Sequence, residues 1–518
     1  MKYFSIVILT VLTLFVRAQD TTFNILLNSN VRTKEIRSII KIDSSYYLLY
    51  STVNYPPIGV GIGLIKLNNS FQMLDSSLYS NSSYYSVINS GKGFELNIID
   101  TTLMVVGAIQ FPNNQKQNGY IVKFNKDLDT IWTKQILHPD TAYADTAQTP
   151  WVGFRDVKIT PEGNYLIVGN YNHHCQGGMD NSFIMKMDTA GNILWQKFLD
   201  PAIYQTYIIN IEIDPIDSGF YFISDKFGFY LYKYDKNGNF LWSKKFHSDV
   251  KIPYVSKIKV IDNNIIIGTN YYIPPVIMNE GPIPRLYITS IDRTTQNINW
   301  TKKFNSISIW SLYLRQEVID IEETPTGNLV IGSVGMTYKD SNFTGSHRAF
   351  LLMLNSNGDS LWSHYYTYQN DSIGLEDMQF NDMVVCDDGG ILFGGSYYSY
   401  PLDPQFIRAW LVKTDSMGNA PGMFTVGIEE NELVIKNVEL KIFPNPTSEN
   451  INLSMQESPK EELQLELYNI IGQLVLEQQL PAFEKEHTIN IQHLQSGVYL
   501  VKLISENQVV YSGKIVKE

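Results

Sequence analysis

Three short strings in this 518-residue chain carry side chains of the kinds that do chemistry. His173-His174-Cys175 with Asp180 offers imidazole, thiolate and carboxylate, the donors that zinc takes. Adjacent histidines on a loop point apart, however, and no second cluster supports them, so no metal is expected there. Gly358-Asp359-Ser360-Leu361 puts a serine where a hydrolase would carry a nucleophile, but such a serine needs a positioned histidine and carboxylate. The string also falls in register with Gly191-Asn192-Ile193-Leu194, which makes it a hairpin turn entering a strand. Asp387-Asp388-Gly389-Gly390 has fewer oxygen ligands than calcium requires and aligns with other turns. Four further acids, Asp156, Asp320, Glu376 and Asp382, stand at or near strand starts. They read as funnel acids of a hydrolase or lyase, or as carboxylates bonded to neighbouring backbone, the commoner role at such positions. No phosphate loop or dinucleotide fingerprint is present. The sequence nominates no catalytic residue and calls for no cofactor.

The elements that must position these groups form a repeat. Residues 154–198 show one unit: a strand over 154–160, the turn Pro161-Glu162-Gly163-Asn164, a strand over 165–169, a variable loop, then Phe183 to Asp188, the turn Thr189-Ala190-Gly191-Asn192, and Ile193 to Phe198. First strands of equivalent units begin near residues 36, 94, 154, 208, 255, 317 and 380. Each third strand ends on Asp or Asn (Asn68, Asn125, Asp188, Asp235, Asp292, Asn355, Asp415), whose side chain bonds the backbone two residues on and starts a turn. The fourth strands carry Trp132, Trp195, Trp242, Trp300 and Trp362, expected to pack blade against blade. Four antiparallel strands in each of seven units is the pattern of a β-propeller. The seventh unit lacks its fourth strand, and a spare strand-like stretch, Phe23 to Leu27, precedes the first. The N-terminal stretch is expected to complete the last blade and remove an exposed edge.

Turns within strand pairs one–two and three–four are tight and alike. Connections between strands two and three, and between blades, are long and variable, and they emerge on one side. Binding residues concentrate on such loops. That side carries Tyr55, Phe111, Tyr171, Tyr271, Tyr272, Tyr338, Tyr397 and Tyr398, rings able to stack on a sugar or a protein partner, or to pack the funnel and stiffen its loops.

The two ends read differently. Lys2 and the apolar run from Phe4 to Val16 suit a secretory signal, too short to span a bilayer, with cleavage after Ala18. Over the last 80 or so residues, short strand-like runs alternate with turns, as in a small β-sandwich. Phe443-Pro444-Asn445-Pro446, then Ile451-Asn452-Leu453; Leu467 to Val475; Leu494 to Val501; and Lys514-Ile515-Val516-Lys517 resemble, in order, the motifs of the type IX secretion C-terminal sorting domain. Within them Pro444, Asn445, Pro446, Gly472, Gly497, Tyr499, Lys514 and Lys517 are the motif positions. The prolines stiffen the opening, and Gly472 and Gly497 are expected at turns closed to other residues. The resemblance implies export by way of the periplasm across the outer membrane of a Gram-negative bacterium by the type IX machinery, removal of this domain, and release or surface attachment of the rest. The repeat region resembles propellers of secreted proteins with such tails and, more loosely, quinoprotein-type repeats.

Composition agrees. Net charge is −12 with charged residues at 18%, thinly spread; no basic cluster exists to hold nucleic acid. Cys175 and Cys386 fall in different repeats, which argues against a disulfide. The expected organisation is a signal peptide (1–18), an all-β seven-bladed propeller (19–422), a linker (423–438) and a sandwich-like sorting domain (439–518). The propeller is expected to bind a glycan or protein. The alternatives are a secreted polysaccharide- or peptide-degrading enzyme and a structural matrix component.

Overall fold

The computed structural model describes residues 22–27, 34–52, 61–79, 85–87, 94–97, 100–110, 117–137, 151–172, 181–199, 208, 210–224, 229–247, 257–273, 283–306, 314–338, 345–368, 376–399, 407–425, 428–430, 440–455, 462–469, 474–505 and 508–518. The signal segment, the His173-His174-Cys175 string with Asp180, and Tyr55, Phe111 and Gly472 lie outside them. The chain divides near residue 430 into two units, each all-β.

The first unit is a seven-bladed propeller. Blade 1 holds strands Lys34–Ile42, Ser45–Thr52, Gly61–Asn68 and Met73–Tyr79, and blade 3 holds Trp151–Ile159, Tyr165–Asn172, Asn181–Met187 and Ile193–Phe198. Blades 4, 5 and 6 repeat the pattern over 211–247, 257–306 and 314–366, all with strands hydrogen-bonded in sequence order. Blade 2 departs from it. Its long second strand, Thr102–Gln110, is flanked by two short pieces, Tyr85–Val87 and Phe94–Asn97, instead of one first strand. A bridge from Trp151 to Gln117 also joins blades 2 and 3 into one sheet.

The third-to-fourth-strand turns form as their chemistry dictates. Asp188 Oδ1 accepts from the amides of Ala190 and Asn192 at 3.0 and 2.7 Å, and the same side-chain acceptor recurs at Asn68, Asn125, Asp235, Asp292, Asn355 and Asp415. The glycine in this turn has a second duty. Gly238, at φ +76, lies against Trp195 of the preceding blade, where a Cβ would sit 2.9 Å from the indole ring. Gly191, Gly358 and Gly418 meet Trp132, Trp300 and Trp362 in the same way, so the tryptophans do pack blade on blade. Blade 5 has a longer turn without glycine. There Arg293 reaches back to Asp214 of blade 4 at 2.7 Å.

Seven hydrophobic clusters occupy the seven junctions between neighbouring blades among the described residues. Each fully buried Leu, Ile or Phe contributes roughly 1.5–3 kcal/mol, so stability resides between blades more than within them. The last cluster mixes Ile36, Ile39 and Leu48 of blade 1 with Leu392, Ala409 and Leu411 of blade 7, which closes the ring. Cys386 lies in this cluster as a free thiol, and burial pushes its pKa up to about 11. Blade 7 contributes Glu376–Val385, Ile391–Ser399 and Arg408–Lys413, and its fourth strand is the N-terminal Phe23–Leu26, paired antiparallel from Phe23↔Lys413 to Leu26↔Trp410. The closing strand is where the missing seventh-unit strand required it.

After blade 7 the chain doubles back along the outer rims. Met423–Thr425 adds a fifth strand to blade 6, from Met423↔Tyr366 to Thr425↔His364. Ile428–Glu430 adds one to blade 5, from Ile428↔Ser306 to Glu430↔Phe304. These residues fall in the segment read as linker.

The second unit has one sheet of Leu440–Phe443, Asn450–Met455 and Glu486–Asn490, and another of Leu474–Leu480, Leu463–Tyr468, Gly497–Ser505 and Gln508–Lys517. A single cluster that includes Ile451, Leu465, Val501 and Ile515 fills it.

Candidate functional site

The strands that line the ring's centre share a local device. In blades 1, 3, 6 and 7 the pairing of the first strand skips a residue, between Ile36 and Ser38, Phe154 and Asp156, Val318 and Asp320, and Phe380 and Asp382. Such bulges re-aim side chains. Here the residue after the bulge bonds an adjoining blade, the following one for Asp156 and Asp382 and the preceding one for Ser38 and Asp320. Asp382 Oδ2 accepts from Ser38 Oγ at 2.6 Å and from the Ile39 amide at 2.7 Å, tying blade 7 to blade 1. Asp156 Oδ2 accepts from Asn210 Nδ2 at 2.7 Å and the Ile211 amide at 3.1 Å, and Asn210 Oδ1 accepts from Ile258, continuing into blade 5. Lys257 pairs with Asp320 at 3.3 Å across blades 5 and 6.

All three acids are fully buried. Burial lifts the Asp156 carboxyl above its ordinary pKa, against the pull of Lys158 and Lys257. Three of the four funnel acids named from the sequence therefore hold backbone and side chains of the adjoining blade. The side chain of Glu376 lies outside the described residues.

The other strings resolve as turns. Gly358 has φ +82 and donates to Asn355 O at 3.0 Å, while Asp359 bonds Asn355 and Lys302. Asp388 receives Lys413 at 2.7 Å, and Asp387 pairs with Lys41 of blade 1.

The loop-face aromatics divide by register. Tyr171 and Tyr397 are buried between blades, Tyr171 edge-on to Phe198 at 5.5 Å and Tyr397 edge-on to Tyr368 at 5.2 Å. Tyr271 occupies the same register position in blade 5, three residues after the residue that opposes Lys257. Tyr398 sits one residue further and is only half buried; Tyr272 shares its position. The side chains of Tyr271, Tyr272 and Tyr338 lie outside the described residues, although their backbones belong to second strands.

Tyr398 has polar company from three blades. It opposes Asp377 across the first two strands of blade 7. Asp377 Oδ1 accepts from the His347 amide and contacts His347 Nδ1, both at 2.8 Å. From blade 1, Arg37 pairs with Glu35 at 2.8 Å, and Asn381 Nδ2 of blade 7 donates to Glu35 Oε1 at 3.0 Å. Burial raises the Tyr398 phenol pKa, and the charges of Glu35 and Asp377 add to the rise. The phenol thus stays protonated as a donor. His347, Asp377, Glu35 and Arg37 keep part of their side chains in solvent. Planar donors and acceptors around a half-exposed ring are the components of a recognition surface for hydroxyl- or amide-bearing ligands.

Of this group only Tyr398 stands out in the sequence as a candidate; Glu35, Arg37, His347, Asp377 and Asn381 join it through the fold. The recurring triplets Ile36-Arg37-Ser38, Phe154-Arg155-Asp156 and Phe380-Asn381-Asp382, apolar, then variable, then a short polar residue, marked the bulges and would have singled out Arg37 and Asn381.

In the second unit the opening and closing motifs meet. Asn445 Nδ2 donates to Lys514 O at 3.0 Å, and Asn445 Oδ1 accepts from the Val516 amide at 2.8 Å. The peptide bonds before Pro444 and Pro446 are both cis. Tyr499 is buried and donates to Gln495 O at 2.7 Å. Lys517 is buried and bridges to Thr447, whereas Lys514 is exposed. Gly497 corrects an expectation: its φ is not positive, and nothing lies within 4 Å of where a Cβ would stand, so its turn is open to other residues.

Residues 441–518 match the family model of the secretion system C-terminal sorting domain. The chain thus carries a type IX sorting tail behind a propeller, is exported to the cell surface or medium, and engages the type IX machinery through that tail. No curated protein matches the chain. Among solved structures it is similar to Penicillium chrysogenum α-L-arabinanase complexed with arabinobiose, with 8% identity, 76% of this chain and 98% of that one covered, and a TM-score of 0.40. It is also similar to Pyrococcus horikoshii acylaminoacyl peptidase, with 10% identity, 82% and 59% covered, and a TM-score of 0.38. A third is the WD40 domain of SCAP from fission yeast, with 10% identity, 81% and 94% covered, and a TM-score of 0.31.

Proposed function

We propose that the propeller is an extracellular recognition module that binds a glycan or protein ligand on its loop face, at the junction of blades 6, 7 and 1. The observation that carries this reading is the set of Tyr398, Glu35–Arg37, Asn381 and His347–Asp377, drawn from three blades onto one side. The burial of Asp156, Asp320 and Asp382 supports it, because those carboxylates are committed to neighbouring blades. A cleaved signal peptide (1–18) delivers the chain to the periplasm, and the tail takes it onward.

The test is a binding and turnover screen of the exported protein against polysaccharides and matrix proteins, with Tyr398→Ala and Arg37→Ala beside it. Saturable binding weakened about tenfold or more by either change, some 1.4 kcal/mol, is the expected result. Binding indifferent to both, or none at all, discards the site. A second reading, a secreted hydrolase or lyase, is favoured by the His347–Asp377 pair. A carboxylate on Nδ1 orients an imidazole for proton transfer at Nε2. Product release lost in His347→Gln would establish it.

A further inference from the structure

We propose that Asn24 joins the N-terminal closing strand and the exit segment into one latch. That latch would make Glu430 the boundary of the folded propeller, so that removal of the sorting tail leaves residues 423–430 behind on it. The inference is independent of what the loop face binds. It takes the removal of the tail from the sorting-domain resemblance.

Asn24 lies in the closing strand and uses both ends of its amide. Its Nδ2 donates to Thr367 O at 2.6 Å, just past the fourth strand of blade 6, and to Pro421 O at 2.7 Å, at the start of the exit segment. Its Oδ1 accepts from Trp410 Nε1 at 2.7 Å, in the third strand of blade 7. Thr367 returns the contact, with its amide and its hydroxyl donating to Gly422 O at 3.0 and 3.1 Å. Gly422 has φ +77, and a Cβ on it would lie 2.2 Å from Thr367 O and 2.8 Å from Asn24 Nδ2. Glycine is therefore required both for the turn and for the close approach. From that turn the chain runs directly into the fifth strands on blades 6 and 5.

The order of dependence follows. Pairing of Phe23–Leu26 with Arg408–Lys413 seats Asn24. Asn24 and Thr367 then fix the turn at Pro421 and Gly422, and the turn lays the exit segment on its two rims. An amide is the side chain that both donates to two carbonyls and accepts from an indole; aspartate and leucine each lose the two donors. A protease needs its substrate strand unpaired, so a seated segment is cut only through local opening.

The experiment is limited proteolysis of the purified full chain, with chymotrypsin reading Phe424 and a glutamate-specific protease reading Glu429 and Glu430, followed by mass analysis. Wild type is expected to resist at these three positions. In Asn24→Leu, cleavage at Phe424 is expected to rise about tenfold, the scale of one or two lost hydrogen bonds, with faster hydrogen exchange over 423–425 and unchanged exchange over 181–187. Equal cleavage in wild type and variant overturns the latch. If Asn24→Leu loosens the whole ring, exchange over 181–187 reports it. Gly422→Ala, which leaves the closing strand's own pairing untouched, then decides the matter: cleavage at Phe424 upholds the latch and continued protection removes it. A secreted mature form that ends before Met423 also overturns the boundary; one that ends at or beyond Glu430 agrees with it.

Discussion

Asp382 and Asp214 show what single carboxylates do in this molecule. Asp382 gathers a hydroxyl and an amide from blade 1 without solvent. Asp382→Ala strips both donors of their acceptor, and a loss of about 3 kcal/mol is expected from the thermal or urea midpoint. A change under about 0.5 kcal/mol would show that the ring does not depend on this staple. Asp214 takes Lys233 at 2.7 Å, the Tyr221 hydroxyl at 2.7 Å and Arg293 at 2.7 Å. Burial alone would raise its pKa; the hydrogen bonds from Lys233 and Tyr221 outweigh that and hold it down to about 2. A carboxyl whose folded pKa is depressed lends stability above its unfolded value and loses it as pH falls through the folded one. The contribution of Asp214 is therefore complete above about pH 4 and gone near pH 2. In Asp214→Asn the unfolding midpoint is expected to lie lower at neutral pH and to vary less over that window. At this scale the sequence was only partly readable. Acids at strand starts and a tyrosine-rich face stand out in it, and the triplets mark where bulges fall, but whether a side chain then faces a neighbouring blade or solvent depends on how the blades dock, which a single chain does not display.

Strands and turns were the most legible part, because their signals are local. An Asp or Asn acceptor starts the hairpin wherever it falls, and all seven turns that follow the third strands carry a positive φ, six of them three residues on (at Phe71, Leu128 and four glycines) and the blade 5 turn four residues on, at Gln296. The glycines themselves differ in what they tolerate. Gly238→Ala meets both a positive φ and the Trp195 ring, so a loss of about 1–3 kcal/mol is expected in thermal unfolding. Gly497→Ala, in open space without a positive φ, is expected to leave the midpoint within about 0.5 kcal/mol of wild type. A reversed order would mean that the aligned glycines serve something other than turn geometry and ring contact. The elements that escaped sequence reading are the short ones. Met-Phe-Thr and Ile-Glu-Glu are too short to show an alternation; Pro421-Gly422 marks a turn before the first, but only the unpaired rims of blades 6 and 5 make strands of them. The split first strand of blade 2 is hidden for the same reason.

For the whole molecule, closure was legible by subtraction: seven units, one strand short, with a spare strand at the other end. The pairing of Phe23–Leu26 with Arg408–Lys413 ties together residues almost 400 positions apart, and it brings the shared core of blades 7 and 1 with it. Removal of residues 22–27 is expected to lower the thermal midpoint by several degrees or more and to broaden the transition, as the last blade exposes its edge. An unchanged calorimetric trace would show that blade 7 stands without its fourth strand. Seven junction clusters, each shared by two neighbours, also mean that no position in the ring is privileged as the first or last. Asn24 lies within a hydrogen bond of Pro421, so the start and finish of the propeller are side by side. The covalent break in the circle is then a matter of ancestry more than of mechanics. A circular permutant that fuses the two ends through a short linker and opens instead at the Asn237-Gly238 hairpin should still fold as the same ring.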